Sequence, residues 1–268
     1  MIEIFHNIRE IYEFRTPCKE LEPFIEFFSE SSPGRTARHA AGNDFVIEMF
    51  PSWTPTFWIN LGSSYHLTTE NNDHHIPAQS GVLVLRDSYT TRHNKPDDHL
   101  FSVKFFPGGL EAILGIRQTK FIGKIVPLET LLPGPLLHQI LSAASFEKKV
   151  ALLQDFLLAN LSHRPKKDHY WQLVRDSIGL YGSTGLRLNT GEIAQRLFVH
   201  SRTINRYFHT VIGLPPKKYL GIVRARSALT AYLADKKAFS PDHFGYYDMS
   251  HFYKEVTRFT GRRMAAPL

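Results

Sequence analysis

The sequence predicts an α+β chain in two parts. A β-rich, barrel-like N-terminal domain with accessory helices spans residues 1–162, and an all-α domain built from a duplicated unit spans residues 163–268. Three observations predict it. Short β-branched and aromatic runs crowd the first 106 residues; apolar residues at helical spacing take over after Gly108; and two segments of the last third match each other at an offset of 48 residues. A chain of 268 residues with 43% apolar and 21% charged composition suits one large globular domain or two of ordinary size.

The elements follow in order. Residues 45–50, 56–61 and 81–85 read as strands punctuated by Pro51, Pro55, Gly62 and Pro77. In residues 100–105, Phe101, Val103 and Phe105 alternate with Ser102 and Lys104, which predicts one buried face and one wet face. Short helices are expected after the Pro107-Gly108-Gly109 turn and over 131–143. A clearer helix is expected over 146–161, where Phe146, Val150, Leu153, Leu157 and Leu161 recur at intervals of four, three, four and four. Its apolar stripe fits either packing inside the first domain or a contact between domains or between copies. The polar, proline-containing residues 162–167 read as a linker.

Charge divides the chain at the same place. Residues 166–268 hold 17 Lys and Arg against 7 Asp and Glu, whereas residues 1–165 hold 15 against 18. A basic third on a slightly acidic remainder suits a polyanion-binding module on a carrier, although a solvated basic surface accounts for charge alone equally well. The acidic N-terminus lacks the apolar core of a secretory signal, and no run approaches the roughly 20 apolar residues that span a membrane. Cys18 is the only cysteine, which excludes an intramolecular disulfide and favours a reducing, cytoplasmic setting.

The repeat carries the functional reading. Its first copy opens at Asn189, a helix cap with Glu192 placed to reach back to it, and sends Ile193, Ala194 and Leu197 inward. The chain breaks at Phe198-Val199-His200 and a second helix starts at Ser201. Ile204, Phe208 and Val211 form that helix's inner stripe; Arg202, Asn205, Arg206 and His209 form its outer one, with Thr203 beside them. Two short helices joined by a tight turn, the second with a cationic and hydrogen-bonding stripe, make a helix-turn-helix. Arg pairs with guanine O6 and N7, and Asn with adenine N6 and N7, so the stripe suits a major groove.

In the second copy Asp248 is expected to cap a helix over 249–260, with Phe252, Val256 and Phe259 inward and Ser250, Tyr253, Lys254 and Thr257 outward. Phe244, Tyr246 and Tyr247 are expected to wedge that helix against its neighbour, and Gly245 to permit the sharp entry. Residues 217–233 read as the connecting helix, about 25 Å long at 1.5 Å per residue. With its turns it would set the two copies about one DNA turn, about 34 Å, apart. Lys217, Lys218, Arg262 and Arg263 suit phosphate contacts, which position a protein without specifying sequence.

Over roughly residues 168–268 the chain resembles the AraC/XylS class of transcriptional regulators. The resemblance rests on EIAQRLFVHSRTINRYFHTVIGLPPKKYL, RARSALTAYL and FGYYDMSHFYKEVTRFTG. It implies a tandem helix-turn-helix domain on double-stranded DNA, a variable N-terminal sensor domain answering to a small molecule or to homodimer formation, and contact with RNA polymerase. INLGSSY and FSVKFFPGGLEAILG are similar to a β-rich sensor found on some of these regulators. Departures are the short segment 236–243 with Pro241 inside it, Met264 where proline is frequent, and His200 where a serine cap is common, with Ser201 placed to serve as the cap instead.

For the first domain, Trp53, Phe57, Trp58 and Tyr65 suit either the wall of a small-molecule pocket or an ordinary core. His74-His75, His93 and His99 lack the converging spacing of a metal site, and His74-His75 reads as a polar loop. No Gly-rich phosphate loop, nucleophile elbow or paired-carboxylate motif stands out, so no catalytic residue, metal or cofactor is expected and the chain does not read as an enzyme. The alternatives to a regulator are a metal-dependent barrel enzyme with a nucleic-acid-binding tail and a non-specific architectural DNA binder.

Overall fold

The computed structural model describes residues 8–70, 72–162 and 169–261. Most of the expected linker, the domain boundary, Arg262, Arg263 and Met264 lie outside these residues. The chain runs β1 (Tyr12–Arg15), β2 (Ile25–Ser31), α1 (Pro33–His39), β3 (Phe45–Met49), β4 (Thr56–Asn60), β5 (Tyr65–Thr68) and β6 (Asp73–Ile76). It continues through β7 (Ser80–Val84), β8 (Thr90–Asn94), β9 (Leu100–Phe105), α2 (Gly109–Leu114), β10 (Ile125–Pro127), α3 (Gly134–Ser142) and α4 (Phe146–Ser162). The helical part holds α5 (His169–Ser183), α6 (Thr190–Arg196), α7 (Ser201–Val211), α8 (Pro216–Ala234) and α9 (Met249–Thr260).

The strands form two antiparallel sheets, ordered β1-β2-β9-β4-β7-β10 and β3-β8-β5-β6. Neither closes on itself, so of the small barrel or sandwich that the strand runs suggest, the sandwich of two open sheets is the one formed. Trp58, Val82, Val84 and Leu100 of the larger sheet meet Ile47, Met49, Tyr65, Leu67 and Ile76 of the smaller one. On its other face Phe57, Ile59, Leu83, Phe101, Val103 and Phe105 join the core that includes helical residues such as Ile113, Ile140 and Leu153. The larger sheet is therefore covered on both sides, which corrects the expectation for β9: all six of its residues are buried, Ser102 and Lys104 included. The sandwich provides for that polar face. The Ser102 and Ser29 hydroxyls bond at 2.7 Å, and Lys104 Nζ lies 2.6 Å from Glu26 Oε2. Deeper between the sheets, Arg92 pairs with Asp98 at 3.2 Å.

His74-His75 is strand, not loop. It belongs to β6, which pairs with β5 and sets His75 opposite His66. The helix expected over 146–161 is α4; it packs on α2 and α3, which favours internal packing over a free stripe.

In the last third, α6, its turn and α7 form the first unit, with α5 packed across α7. In the second unit the leading helix is reduced to a single 3-10 turn, Pro241–Phe244, before α9. Helices α7 and α9 begin at Ser201 and Met249, 48 residues apart, which is the offset read from the sequence.

Candidate nucleic-acid interface

The cap expected at Asn189 is present. Its side chain accepts from the Gly191 and Glu192 amides at 2.8 and 3.0 Å, and Glu192 accepts from the Asn189 amide at 2.7 Å. This sets the entry angle of α6, whose Ile193 and Ala194 are buried. The turn carries Phe198 with φ +54°, and α7 begins beyond it. Its N-cap is His200, which offers no side-chain bond, and Ser201 is the first helical residue rather than a cap. Ile204, Phe208 and Val211 are buried, while Arg202, Asn205, Arg206 and His209 are exposed and Thr203 is half-buried. The outer stripe thus stands together on one solvent face of α7.

Arg206 is held rather than loose. Its guanidinium lies 5.0 Å from the Tyr207 ring centroid, and Tyr207 lies 6.0 Å from the Tyr170 ring. The Tyr170 hydroxyl donates to Glu111 Oε1 at 2.6 Å, so a continuous set of contacts joins α2 of the first domain to the middle of α7.

In the second unit Asp248 caps α9 by accepting from the His251 amide at 2.7 Å. Phe252 and Val256 are buried and Phe259 half-buried; Ser250 and Lys254 are exposed. Tyr253 is divided between roles, because its ring packs on Tyr232 and its hydroxyl lies 3.2 Å from the Tyr232 hydroxyl. Burial and that neighbour push the Tyr253 phenol up to about 12. The aromatic wedge holds for Tyr246, which is buried, and for half-buried Phe244, which stacks on Phe239 at 5.6 Å. It fails for Tyr247, which is 92% exposed: one residue short of the cap, its ring leaves the core that Tyr246 enters. What anchors α9 instead is Glu255, which sequence reading missed. Buried in the helix, it accepts from Arg224 Nη2 at 2.7 Å and Nε at 3.2 Å, and from Arg258 Nη2 at 3.1 Å. Gly221 gives α8 the clearance for this, since a Cβ there would stand 3.3 Å from Glu255 Oε1.

Both α7 and α9 rest their C-terminal ends on the first domain. Gly213, beyond α7, adopts φ +94°, and a Cβ on it would meet Ile122 Cδ1 at 2.7 Å and Thr119 Cγ2 at 3.3 Å. Gln118 Nε2 donates to the Ile212 carbonyl at 3.3 Å and to the Trp53 carbonyl at 3.0 Å. Phe259 of α9 meets Phe50 at 5.8 Å. Lys104 lies near Arg226 of α8, and desolvation, then that cation, draws its ammonium down to about 7 against the pull of Glu26. The polar stripes named above remain outside this contact.

A crevice of ≈ 520 Å³ opens between the two parts, lined by Trp53, Glu70, Asp87, Lys218, Arg258 and Phe259 among others. Of the four aromatics expected at a pocket, Trp53 alone lines it. Trp58 and Tyr65 lie between the sheets, each within 6 Å of the Arg92 guanidinium at 5.8 and 5.3 Å, and Phe57 faces the helices. Lys217 is exposed at the start of α8; Lys218, also exposed, borders the crevice. Among the described residues no three His, Cys, Asp or Glu side chains are grouped to hold a metal ion. No described helix is long and apolar enough to cross a membrane.

No family model and no curated protein matches the chain. Among solved structures, ToxT from Vibrio cholerae superposes with a TM-score of 0.47 at 10% identity, over 82% of this chain and 95% of that one. Wild-type ToxT with bound unsaturated fatty acid gives 0.45 at 13% identity, over 82% and 92%. The AraC-like transcriptional activator CuxR gives 0.26 at 13%, over 87% and 90%. Likenesses this weak leave the reading to the geometry of the chain itself.

Proposed function

We propose that the chain is a sequence-specific, DNA-binding transcriptional regulator of the AraC/XylS type. The observation that carries this is the exposed stripe Arg202, Asn205, Arg206 and His209 on α7, over a fully buried inner stripe, in the basic third of the chain. It is followed 48 residues later by a second capped helix presenting Ser250 and Lys254. Arg202, Asn205 and Arg206 read base edges in one major groove, with Thr203 and His209 alongside. Ser250, Tyr253 and Lys254 contact the next groove, Tyr253 within the limit its bond to Tyr232 sets. Lys217 and Lys218 hold phosphates.

The first domain is proposed as sensor or oligomerisation module in a cytoplasmic regulator that is not an enzyme. The crevice supports control by a small molecule, because an occupant would touch Trp53 on one side and Lys218 and Arg258 on the other. A homodimer and a contact with RNA polymerase come from the family resemblance. Selection of duplexes from a random pool by the full chain tests the reading: enrichment of two short sites about 34 Å apart is expected. Binding that falls with salt but enriches no sequence would make the chain an architectural binder instead.

A further inference from the structure

Two large apolar side chains stand apart from all others among the described residues. Phe198 is 95% exposed and Tyr247 92%; the next, Val46, is 48%. Both lie in the turns that lead into the recognition helices, Phe198 three residues before Ser201 and Tyr247 two before Met249. Local folding does not call for either. The turn of the second unit takes its left-handed residue as Gly245, φ +71°, the choice that avoids a Cβ clash. The first unit holds a phenylalanine at φ +54° instead, with its ring in water. A bulky residue in that backbone region is strained, and an exposed ring gives up the gain of burial, so both terms weigh against Phe198 in the isolated protein. Such residues concentrate at functional sites.

Position narrows the function. The C-terminal ends of α7 and α9 rest on the first domain, through Gly213 against Ile122 and through Phe259 against Phe50. Phe198 and Tyr247 sit at the opposite ends, roughly 15 Å away along helices that rise 1.5 Å per residue. These are the ends that enter a groove first in a helix-turn-helix. At α7 that end also carries amides to which His200 offers no side-chain acceptor.

We propose that Phe198 and Tyr247 are DNA-contact residues, Phe198 reading a thymine through its 5-methyl group and Tyr247 bonding the backbone through its hydroxyl. This rests on the DNA-binding reading above. A phenyl ring has no donor or acceptor, and the one apolar feature of the major-groove floor is the thymine methyl. A phenol carries a donor suited to a phosphate oxygen, which positions without specifying.

The test uses the full chain and the duplex it selects, with each thymine replaced in turn by deoxyuracil. Phe198→Gly is expected to bind about three- to tenfold more weakly while melting at the same or a higher temperature, since glycine relieves the turn. One deoxyuracil substitution in the α7 half-site should weaken the parent by the same factor and leave Phe198→Gly unaffected. Tyr247→Phe should lose about threefold on every sequence, with no thymine singled out. If no duplex is enriched at all, the DNA-binding reading fails and takes this inference with it. If a duplex is selected but Phe198→Gly binds within twofold of the parent, or no deoxyuracil position responds, the regulator stands and the inference falls; the ring then serves a protein partner.

Discussion

Glu255→Ala isolates the interaction that substitutes for a missing helix. The second unit has only a 3-10 turn ahead of α9, so α9 packs chiefly on α8, whereas α7 is shared among α5, α6 and α8. The Glu255 carboxylate receives both Nε and Nη2 of Arg224, at 3.2 and 2.7 Å, and the Arg224 guanidinium lies 4.7 Å from the Tyr246 ring. Arg258, 63% exposed, adds little. Charge-assisted bonds contribute about 1.5–3 kcal/mol each, and removing one member of a buried pair costs about 3–5 kcal/mol because the other charge is stranded. The Arg224 side chain is 22% exposed and regains some hydration, which lowers the expected cost of Glu255→Ala to about 2–4 kcal/mol. Against a total stability of about 5–15 kcal/mol, that loosens α9 before the rest. Urea unfolding should show the drop in midpoint. Amide exchange should show weakened protection across α9 while α7 keeps its own, and affinity for a duplex carrying both sites should fall to that for the α7 site alone. Glu255→Gln, which keeps the shape and one acceptor, should lose less. An unfolding free energy for Glu255→Ala within about 0.5 kcal/mol of the parent, the range of ordinary surface changes, would refute the clamp.

Arg206→Ala should cost about 1–3 kcal/mol on the selected duplex and relax preference at one base position; unchanged binding in a competition series would mean that α7 is turned the other way. Lys217→Ala and Lys218→Ala should weaken all sequences alike and flatten the slope of log affinity against log salt by roughly one unit for each phosphate no longer neutralised; a change confined to one sequence would contradict that role. Lys104 titrates at about 7 in the folded chain and near 10.5 when unfolded, so between those values the unfolded chain holds a proton that the folded one lacks. Stability should therefore rise with pH over that window. Lys104→Met should remove the rise, as followed by urea midpoints from pH 6.5 to 9.5, and identical slopes in both proteins would show that the ammonium stays charged.

The helical third was the more legible part, because its signals are local. The capping box at Asn189 and Glu192, the start of α7 at Ser201 and the cap at Asp248 each involve residues within four positions of one another, and all three stand where the spacing put them, with His200 rather than Ser201 as the N-cap of α7. Tyr247 was misjudged because a turn residue's fate depends on a single backbone step. The sandwich was harder to read, since burial of a strand's second face depends on what lies over it. β9 alternates Phe101, Val103 and Phe105 with Ser102 and Lys104, a pattern that matches a half-exposed strand until a second sheet covers it. His75 comes to lie beside His66 by a strand pairing that no local spacing announces.

By itself the sequence determined where helices start, which of their faces is apolar, that a unit is duplicated, and that the positive charge gathers with it; periodicity, capping and composition act over a few residues. Only the tertiary structure decided that the two sheets stay open and that Glu255 of α9 is clamped by Arg224 of α8. It also decided that Gly213 and Phe259 turn the C-terminal ends of α7 and α9 onto the first domain, leaving Phe198 and Tyr247 in solvent. These are contacts between residues far apart in the chain, and their energies exist only once the intervening segments have packed.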